Sequence, residues 1–523
     1  MSDNHNLYAA FSRRFTAAAD APAFVTLDGR VTSYGALGRE VARMANALVA
    51  SGVGLGDRVT VQVEKSLPNA VLYLACLKAG AVFNPLNSGY TSAELDYFLG
   101  DAEPTLLVCQ HASQGLLAPL ADKHKVRTTL LLEADGSGSL TDLAAKQNSR
   151  HKTVRRAADD LAALLYTSGT TGRSKGAMIT HGNLSSNTQA LCETWQITSR
   201  DVLVHALPIF HVHGLFVALN TCLSQGAKTL WLDKFDPASV LRLLPEATMM
   251  MGVPTFYTRL LGAKALGHEA CRNMRLFVSG SAPLLAETHD EFKARTGHAI
   301  VERYGMTETG MITSNPYAPD GRIAGSVGYA LPGVGVRVAE PQDGSEGKDA
   351  NVKVVGAGEV GVIEVKGPNV FKGYWRNPEK TKAEFRSDGY FITGDLGTLA
   401  PDGRLTIVGR AKDLIITGGY NVYPKEVEDE LNALPGVAEA AVVGVAHPDF
   451  GEGVIAVLAK AAGATLDSEA AILERLGSRL ARFKCPKRVF VVDDLPRNAM
   501  GKVQKVELRS RYADTFKGGK LKA

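Results

Sequence analysis

The chain lacks the sequence features that mark several broad classes of protein. Its six cysteines, among 523 residues, include no C-x-x-C pair, which argues against a zinc or disulfide framework and favours reduced thiols in the cytoplasm. No apolar run approaches the roughly 18 residues that a membrane-spanning helix needs. The formal net charge of +4 is too small over this length to indicate nucleic-acid binding. We therefore predict a cytoplasmic protein with no nucleic-acid or membrane partner.

The hydrophobic pattern divides the chain into three parts. Up to Val334, strand-like segments such as DRVTVQVE alternate with helix-like ones such as LPNAVLYLACLKAG, which has Pro68 near its start and Gly80 at its end. This alternation predicts a mostly parallel sheet with helical crossovers. Beyond Val334, a stretch rich in glycine, valine and polar turns predicts an antiparallel or barrel-like subdomain. After residues 409–413, the order helix, strand, strand, helix, strand predicts a small α+β domain.

A glycine- and hydroxyl-rich stretch, YTSGTTGRSKG at residues 166–176, has the composition of a phosphate-binding loop. Backbone N–H groups in a glycine-rich turn can point at an anion, and hydroxyl groups and Lys175 add further donors. The spacing is not that of the P-loop, G-x-x-x-x-G-K-[ST]. The apolar segment LAALLY before it would deliver the loop to a sheet edge, where α/β ligand sites form. A flexible polar surface turn is the alternative.

A second motif, VERYGMTETG at residues 301–310, offers groups suited to a nucleotide. Tyr304 could stack on a flat base. Thr307 and Glu308 supply oxygens of the kind that hold Mg²⁺ beside phosphates. The alternative is a strand leading into a turn with a solvated glutamate.

Two further motifs place charged residues at the ends of strand-like stretches. In YFITGDLG, Asp395 could accept both hydroxyls of a ribose, and Arg410 in GRAKDLIITGGYNVYP could be a second phosphate or ribose contact. In LPRNAMGKVQK, Lys502 follows Gly501 between two apolar stretches that are predicted as strands. Taken singly, a turn aspartate and a solvated hairpin lysine are the ordinary alternatives.

The five motifs together, in this order, resemble those of the adenylate-forming enzymes, which include acyl-CoA synthetases, luciferases and peptide-synthetase adenylation domains. They are YTSGTTGRSKG, YGMTE, TGD, GRAKDLIITGGYNVYP and PRNAMGKVQK. The resemblance implies an α/β N-terminal domain of two sandwiched subdomains plus a small β-barrel (residues 1–409), a hinge (410–413) and a mobile α+β C-terminal domain (414–523). It also implies two half-reactions. A carboxylate attacks the α-phosphorus of ATP, releasing pyrophosphate, and a thiol, usually coenzyme A, then displaces AMP.

The resemblance assigns roles to individual residues. Lys502 is the catalytic lysine of adenylation, Glu308 carries Mg²⁺, and Lys412 marks the hinge. The glycine-rich loop holds pyrophosphate, and no P-loop is needed because the γ-phosphoryl group is not transferred. Coenzyme A would pass Gly418, Gly419 and Tyr420. The residues predicted to bind ATP are Thr167, Ser168, Gly169, Thr170, Thr171, Gly172, Lys175, Tyr304, Thr307, Asp395, Arg410 and Lys502.

The segments expected to line the acid pocket are polar and basic, unlike the apolar tunnel of fatty-acid ligases. Arg303 stands where many relatives have glycine, and a cation there suits a second carboxylate on the substrate. An arginine paired to a protein acid such as Glu302 is the alternative. The residues predicted to contact the acid are Arg303, His211, Val212, Ser279, Ser281, Met306 and Arg259, with Arg303 or Arg259 holding the second carboxylate.

These segments, among them MGVPTFYTRLL, RLFVSGSAPL and ERYGMTET, are similar to malonyl-CoA and methylmalonyl-CoA synthetases. Val212 departs from bacterial members, which often carry a small polar residue there. We predict malonate as the substrate, with methylmalonate accepted to an extent the sequence leaves open. A short-chain or aryl acid ligase is the runner-up. Outside the family, a γ-phosphotransferase and a non-catalytic nucleotide-binding module are the alternatives.

Two further expectations concern regulation and assembly. Lys502 is predicted as an acetylation site, because acetylation removes the charge on which adenylation depends. We also expect a monomer or a small homo-oligomer.

Overall fold

The structure is a computed structural model that describes residues 4–167, 174–341, 352–498 and 501–516. The chain forms two compact units. The first comprises Met1–Gly280, Thr288–Val336 and Val365–Phe391, and the second comprises Ser281–Glu287, Arg337–Glu364 and Ile392–Ala523. None of the helices within the described ranges has the length and apolar character needed to cross a membrane.

The strands fall into four sheets. In chain order they are β1 (Pro22–Thr26), β2 (Val31–Ser33), β3 (Arg58–Gln62), β4 (Val82–Pro85), β5 (Leu106–Cys109), β6 (Thr128–Leu131), β7 (Leu161–Thr167), β8 (Lys175–Thr180), β9 (Val202–His205), β10 (Lys228–Trp231), β11 (Met249–Gly252), β12 (Leu276–Ser279), β13 (Val301–Met306), β14 (Gly310–Ser314), β15 (Tyr329–Ala330), β16 (Gly335–Ala339), β17 (Gly361–Lys366), β18 (Phe391–Leu399), β19 (Leu405–Arg410), β20 (Ile415–Thr417), β21 (Tyr420–Val422), β22 (Val437–His447), β23 (Gly451–Lys460) and β24 (Arg488–Val492).

The helices alternate with these strands. They are α1 (Leu7–Ala17), α2 (Tyr34–Ala50), α3 (Leu67–Ala79), α4 (Ser92–Ala102), α5 (His111–Lys123), α6 (Ser139–Ala145), α7 (His181–Thr194), α8 (Asn220–Gln225), α9 (Pro237–Leu243), α10 (Pro254–Leu261), α11 (Ala286–Thr296), α12 (Pro378–Glu384), α13 (Pro424–Asn432), α14 (Glu469–Gly477) and α15 (Lys505–Arg511), together with a π-helical turn at His213–Leu219 and short 3₁₀ turns at Leu244–Glu246, Pro319–Gly321 and Ala411–Asp413.

Two sheets with parallel cores build the first unit. One has the order β15-β14-β13-β12-β11-β9-β10-β1-β2, and the other has the order β6-β5-β3-β4-β7-β8. Adjacent strands in the middle of each sheet run parallel, and antiparallel pairs occur only at the edges. The mostly parallel sheet with helical crossovers is therefore confirmed.

The helix α3 shows how the sequence specifies this core. Every residue from Asn69 to Ala79 is buried, as expected for a helix that is apolar all round. Ser66 caps its first turn and Pro68 lies in that turn, where its missing N–H costs nothing. Gly80 ends the helix at φ +76°, a left-handed conformation that glycine adopts without strain. Both predicted end signals are confirmed.

The second unit contains a five-stranded sheet and most of a four-stranded one. The four-stranded order is β16-β17-β18-β19, and β20 to β24 form the other sheet. The predicted order helix, strand, strand, helix, strand is confirmed as α13, β22, β23, α14 and β24. The prediction of a strand after Lys502 is wrong, because α15 follows it. The domain limits at residues 409 and 414 and the hinge stay predictions.

Candidate active site

The two ends of the predicted phosphate loop lie on the outermost strand pair of the six-stranded sheet. Strands β7 and β8 are antiparallel, and Thr167 is the register partner of Lys175. The apolar strand β7 therefore leads to the first residue of the loop at the end of this strand pair, as the sequence predicted. Five of the predicted phosphate contacts lie outside the described residues: Ser168, Gly169, Thr170, Thr171 and Gly172.

The carboxylate of Glu308 is buried beside this loop. Its Oε1 accepts a hydrogen bond from Thr167 Oγ1 at 3.2 Å and lies 3.2 Å from the Tyr374 hydroxyl oxygen. Burial is the main cause that raises the pKa of Glu308 above its ordinary range. Thr167 and Glu308 are 141 residues apart in the chain, so the fold brings together two residues that were predicted to share one site.

The residues around Glu308 suit Mg²⁺ that arrives with ATP. Mg²⁺ at phosphate sites is usually held by one or two carboxylates together with the substrate's own oxygens. Glu308 supplies one buried carboxylate, with the Thr167 hydroxyl in contact. Over the described ranges, no group of three or more His, Cys, Asp and Glu side chains could hold a metal ion by itself. The donor set therefore fits a metal that is shared with a nucleotide.

Three residues near the loop were not predicted from the sequence. The Tyr374 hydroxyl donates to Glu384 Oε2 at 2.5 Å, and Glu384 Oε1 lies 2.6 Å from Lys380 Nζ and 3.7 Å from Lys175 Nζ. Burial is the main cause that lowers the pKa of Lys175 from its ordinary value. The sequence around Tyr374, NVFKGYW at residues 369–375, carries no pattern typical of a binding site.

The neighbouring residues Arg303 and Tyr304 lie on strand β13, where consecutive side chains point to opposite faces of the sheet. Although the two residues are adjacent in sequence, the Arg303 guanidinium therefore lies on the opposite face of the sheet from the Tyr304 side chain. Its position is fixed instead by Gly280, because a Cβ on that residue would lie only 2.5 Å from Cζ of Arg303. Glycine at residue 280 makes the room that the guanidinium occupies.

The Arg303 guanidinium is buried without an acidic partner. Nε and Nη2 have no hydrogen-bond partner in the part of the chain that the structure describes. Burial lowers the pKa of Arg303 to about 9, and no carboxylate contributes to that shift. The alternative in which Glu302 neutralises Arg303 is therefore not what the fold shows. Glu302 Oε1 accepts instead from the backbone N–H of Gly325.

The side chains that surround Arg303 do not neutralise it. Tyr257 directs its hydroxyl to the carbonyl of Val278 at 2.6 Å. Burial, followed by the charges of Arg303 and His211, holds the pKa of His213 well below its ordinary value, so this ring is neutral. On the adjacent strand β12, the buried Ser279 Oγ also has no partner within the described residues. The site thus holds one cation and unsatisfied donors, an arrangement that fits an anionic ligand.

The other residues that were predicted to contact the acid lie on several different elements. Val212 and Thr307 line one small cavity, with Phe216 and Asn187 among its other walls. His211 is half-buried and accepts from the backbone N–H of His213, and Met306 is half-buried at the end of β13. Ser281 has φ +72°, which is unusual for a serine. Arg259 is exposed in the last turn of α10, which favours Arg303 as the residue that holds a second carboxylate.

In the second unit, Asp395 and Arg410 form one ion pair. They are register partners across the antiparallel strands β18 and β19, and Arg410 Nε lies 2.9 Å from Asp395 Oδ1. The backbone N–H of Asp395 donates to Thr393 Oγ1, which in turn donates to the carbonyl of Ile363. The two predicted ribose contacts are therefore adjacent and rigidly held.

The predicted coenzyme A contacts form a tight hairpin in the second unit. Gly418 and Gly419 join β20 to β21 and have φ +57° and +82°. A two-residue hairpin loop with φ above zero at both positions requires residues such as glycine, so turn geometry explains this pair. Tyr420 is exposed and its ring stacks on Phe483 at 4.8 Å. Lys412 is exposed in the 3₁₀ turn Ala411–Asp413.

Lys502 is exposed on the surface of the second unit. Its backbone N–H donates to Asn498 Oδ1, and its carbonyl accepts from the backbone N–H of Asn498. Gly501 precedes it at φ +74°, and Arg497 and Val503 form a single β-bridge. These contacts hold the backbone of Lys502 and leave its side chain at the surface of the second unit.

Comparison with known proteins gives concordant matches over nearly the whole chain. The sequence model of the AMP-binding enzyme family matches residues 11–375, and that of the AMP-binding enzyme C-terminal domain matches residues 426–502. The crystal structure of ATP-bound MatB from Rhodopseudomonas palustris is 55% identical with a TM-score of 0.93, and the match covers 98% of this chain and 100% of that one. The mitochondrial malonate–CoA ligase ACSF3 of Mus musculus is 37% identical over 503 residues, 90% of this chain and 84% of that protein. A feruloyl-CoA synthase from an Amycolatopsis species is also 37% identical, over 492 residues that cover 92% of this chain and 94% of that protein.

Proposed function

The chain belongs to the AMP-binding enzyme family, and on that premise we propose that it is an ATP-dependent, AMP-forming malonate–CoA ligase. The observation that carries the choice of acid is Arg303, a buried guanidinium with no described acidic partner. A charge in that position is costly unless a ligand neutralises it. Malonate offers a second carboxylate one methylene away from the one that reacts.

An aryl acid is the strongest competing substrate, since a feruloyl-CoA synthase is as similar in sequence as the mouse malonate–CoA ligase. A feruloyl group carries no second carboxylate. Binding it would leave Arg303 buried and unpaired, and a buried charge that lacks its partner is strongly unfavourable. This electrostatic penalty favours malonate over an aryl acid of similar reactivity.

Adenylation begins with the two anionic substrates held apart from each other. Arg303 binds the distal carboxylate of malonate, which leaves the other carboxylate to attack. Lys175 and the residues of the phosphate loop bind the β- and γ-phosphates. The attacking oxygen forms a bond to the α-phosphorus while the bond from that phosphorus to the bridging oxygen breaks, and pyrophosphate leaves. Such positioning of reactants can supply much of the rate acceleration.

Mg²⁺ belongs to this proposal as a cofactor, with Glu308 and the Thr167 hydroxyl as the protein groups that would hold it. When bound, it neutralises charge on the phosphate oxygens. Tyr304 would lie against adenine, and Asp395 and Arg410 would bind the ribose hydroxyls.

Lys502 acts in the first half-reaction and the hairpin of β20 and β21 acts in the second. Lys502 stabilises the negative charge that develops between the carboxylate and the α-phosphate. In the second step the thiol sulfur of coenzyme A forms a bond to the acyl carbon, the bond to the AMP oxygen breaks, and malonyl-CoA and AMP are released. We propose that the C-terminal domain rotates about Lys412 between the two steps. This rotation would move Lys502 away from the reacting atoms and bring Gly418 and Gly419 to them.

One experiment tests the reaction class and the substrate together. The enzyme is incubated with ATP, Mg²⁺ and coenzyme A and with each acid of a panel that includes malonate, methylmalonate, propionate and ferulate. We expect AMP, pyrophosphate and malonyl-CoA in equal amounts, with malonate the preferred acid. ADP as the product would establish a γ-phosphotransferase instead. Preference for ferulate or propionate would reject the assignment of malonate.

Three properties complete the proposal. We place the enzyme in the cytoplasm, although its mouse relative is a mitochondrial protein, and we expect a monomer or a small homo-oligomer. Lys502 is exposed and is proposed as an acetylation site that switches off adenylation. Adenylation at the normal rate by enzyme acetylated at Lys502 would contradict this regulation.

A further inference from the structure

A chain of hydrogen-bonded side chains beside Glu308 has no part in the steps above. It runs from Glu308 Oε1 to the Tyr374 hydroxyl at 3.2 Å, and from that hydroxyl to Glu384 Oε2 at 2.5 Å. Glu384 Oε1 then meets Lys380 at 2.6 Å and Lys175 at 3.7 Å. The chain thus connects the carboxylate that would hold Mg²⁺ with the lysine of the phosphate loop.

The backbone around Tyr374 is fixed against the strand that carries Lys175. Tyr374 forms a β-bridge with Ala177 of β8, and on either side of it the N–H of Trp375 donates to Gly176 and the N–H of Met178 donates to Gly373. Gly373 has φ +130°, and a Cβ there would lie 2.6 Å from a methyl carbon of Thr381. The backbone of Tyr374 is therefore held against β8, close to Lys175.

Two hydroxyl groups contact the same oxygen of Glu308. Thr167 donates to Oε1, and the single proton of the Tyr374 hydroxyl is shared between Glu308 Oε1 at 3.2 Å and Glu384 Oε2 at 2.5 Å. Among the described residues, no side chain donates to Oε2. Contacts on one oxygen orient the carboxylate and leave its other oxygen to contact a cation. In proteins, partners of this kind orient a metal ligand and tune its affinity.

Resting on the proposed function, we propose that Tyr374 is a positioning residue for ATP activation. Its hydroxyl, in contact with Oε1, keeps the carboxylate of Glu308 in the orientation that receives Mg²⁺ together with ATP. Tyr374 itself touches neither reacting atom. Its removal should therefore weaken the metal-dependent part of ATP binding, and it should leave the metal-independent part and the thiol step unchanged.

The test is calorimetric titration of ATP into the enzyme, with Mg²⁺ and separately with EDTA, in the absence of any acid. For Tyr374→Phe, which removes one oxygen atom, we expect the affinity for Mg·ATP to fall about 10- to 100-fold, the usual effect of losing a partner of a metal ligand. The affinity for metal-free ATP should stay within about twofold of wild type, since no phosphate contact is lost. The proposal would be overturned if Mg²⁺ raised the affinity for ATP by the same factor in wild type and in Tyr374→Phe.

A second pair of variants separates the hydrogen bond from the charge. Glu384→Ala and Glu384→Gln both remove the negative charge next to Lys175, but only the glutamine keeps an oxygen that accepts from Tyr374. Without Glu384 the proton of the Tyr374 hydroxyl is left to Glu308 Oε1 alone, so we expect both variants to keep the gain in ATP affinity that Mg²⁺ provides. Loss of that gain in both variants would show that the charge of Glu384 matters and not the contact between Tyr374 and Glu308, and it would reject the proposal even if Tyr374→Phe failed to fold.

Tyr34→Phe is the matched control. Its buried hydroxyl donates to the carbonyl of Ala227 at 2.6 Å and has no contact with the site, so its loss should leave both ATP affinities unchanged. Because no acid is present, the outcome does not depend on which acid the enzyme activates. Failure of the proposed function would appear elsewhere, as the absence of malonate-dependent pyrophosphate release by the wild-type enzyme.

Discussion

Replacing Arg303 with methionine should remove most activity toward malonate and spare activity toward propionate. Methionine keeps the unbranched stem of the side chain as far as the position of Nε and removes the guanidinium charge. The guanidinium in the wild-type protein is buried and has no described acidic partner. A pair formed there with the second carboxylate of malonate would be desolvated, and breaking such a pair costs about 2–4 kcal/mol.

This energy converts directly into a ratio of specificity constants. At about 1.4 kcal/mol for each factor of ten, kcat/KM for malonate should fall by about 30- to 1,000-fold. Propionate lacks the second charge and should lose little or improve. The measurement is kcat/KM for malonate divided by kcat/KM for propionate, in wild type and in Arg303→Met. Arg259→Met is the matched control, because that arginine is exposed and its loss should leave the ratio unchanged.

The reasoning fails if both acids lose activity together, because Arg303 would then support the fold or the nucleotide site. It also fails if Arg259→Met, and not Arg303→Met, lowers the ratio. The second carboxylate would in that case bind at α10, and the buried guanidinium would need another explanation.

Three further predictions follow from the same structure. Burial lowers the folded-state pKa of Arg303 to about 9. The charged group therefore destabilises the ligand-free enzyme below pH 9, and this destabilisation decreases as the pH rises above 9. Arg303→Met should raise the Tm measured by calorimetry at pH 7, and the increase should become smaller above pH 9. Lys502→Ala should abolish pyrophosphate release but retain thiolysis of preformed malonyl-adenylate, and an equal loss in both steps would indicate a structural role. Gly419→Ala, at φ +82°, should strain the hairpin by about 1–2 kcal/mol and slow thiolysis, whereas Gly419→Asn should be tolerated; equal rates of thiolysis would refute this.

The sequence predicts most of the fold because its local signals agree with its tertiary structure. The helix α3 combines an apolar pattern on all sides with Pro68 at its start and Gly80 at its end, and the structure has the same limits. The stretch after Lys502 is different. It was predicted as a strand from its apolar character, but Lys505–Arg511 is a helix with one buried residue, Leu508. Short apolar runs fit either structure, and here an ion pair between Glu507 and Arg511, one turn apart, supports the helix.

The site could be predicted only where a residue belongs to a motif. Thr167 and Glu308 were assigned to one site through the resemblance, since no local pattern brings together residues that are 141 positions apart. Tyr374 lies 66 residues beyond Glu308, in a segment whose own composition indicates no binding function. Its role depends on one β-bridge to Ala177 and on the contact of its hydroxyl with Glu308. Contacts of this kind are set by how distant strands meet, and a single sequence carries no signal for them.

The unneutralised charge of Arg303 also explains how one small pocket could tell acids apart. An apolar pocket discriminates weakly between acids that differ by a methylene, because such a group is worth only about 1–3 kcal/mol. A buried cation acts differently, since every acid that lacks a second carboxylate leaves it desolvated and unpaired. The enzyme then selects against a wrong acid because that acid leaves the charge of Arg303 without a partner. This unfavourable buried charge is already present before any acid binds. The cost falls on the stability of the empty enzyme, which is why the same substitution should lower selectivity for malonate and raise Tm.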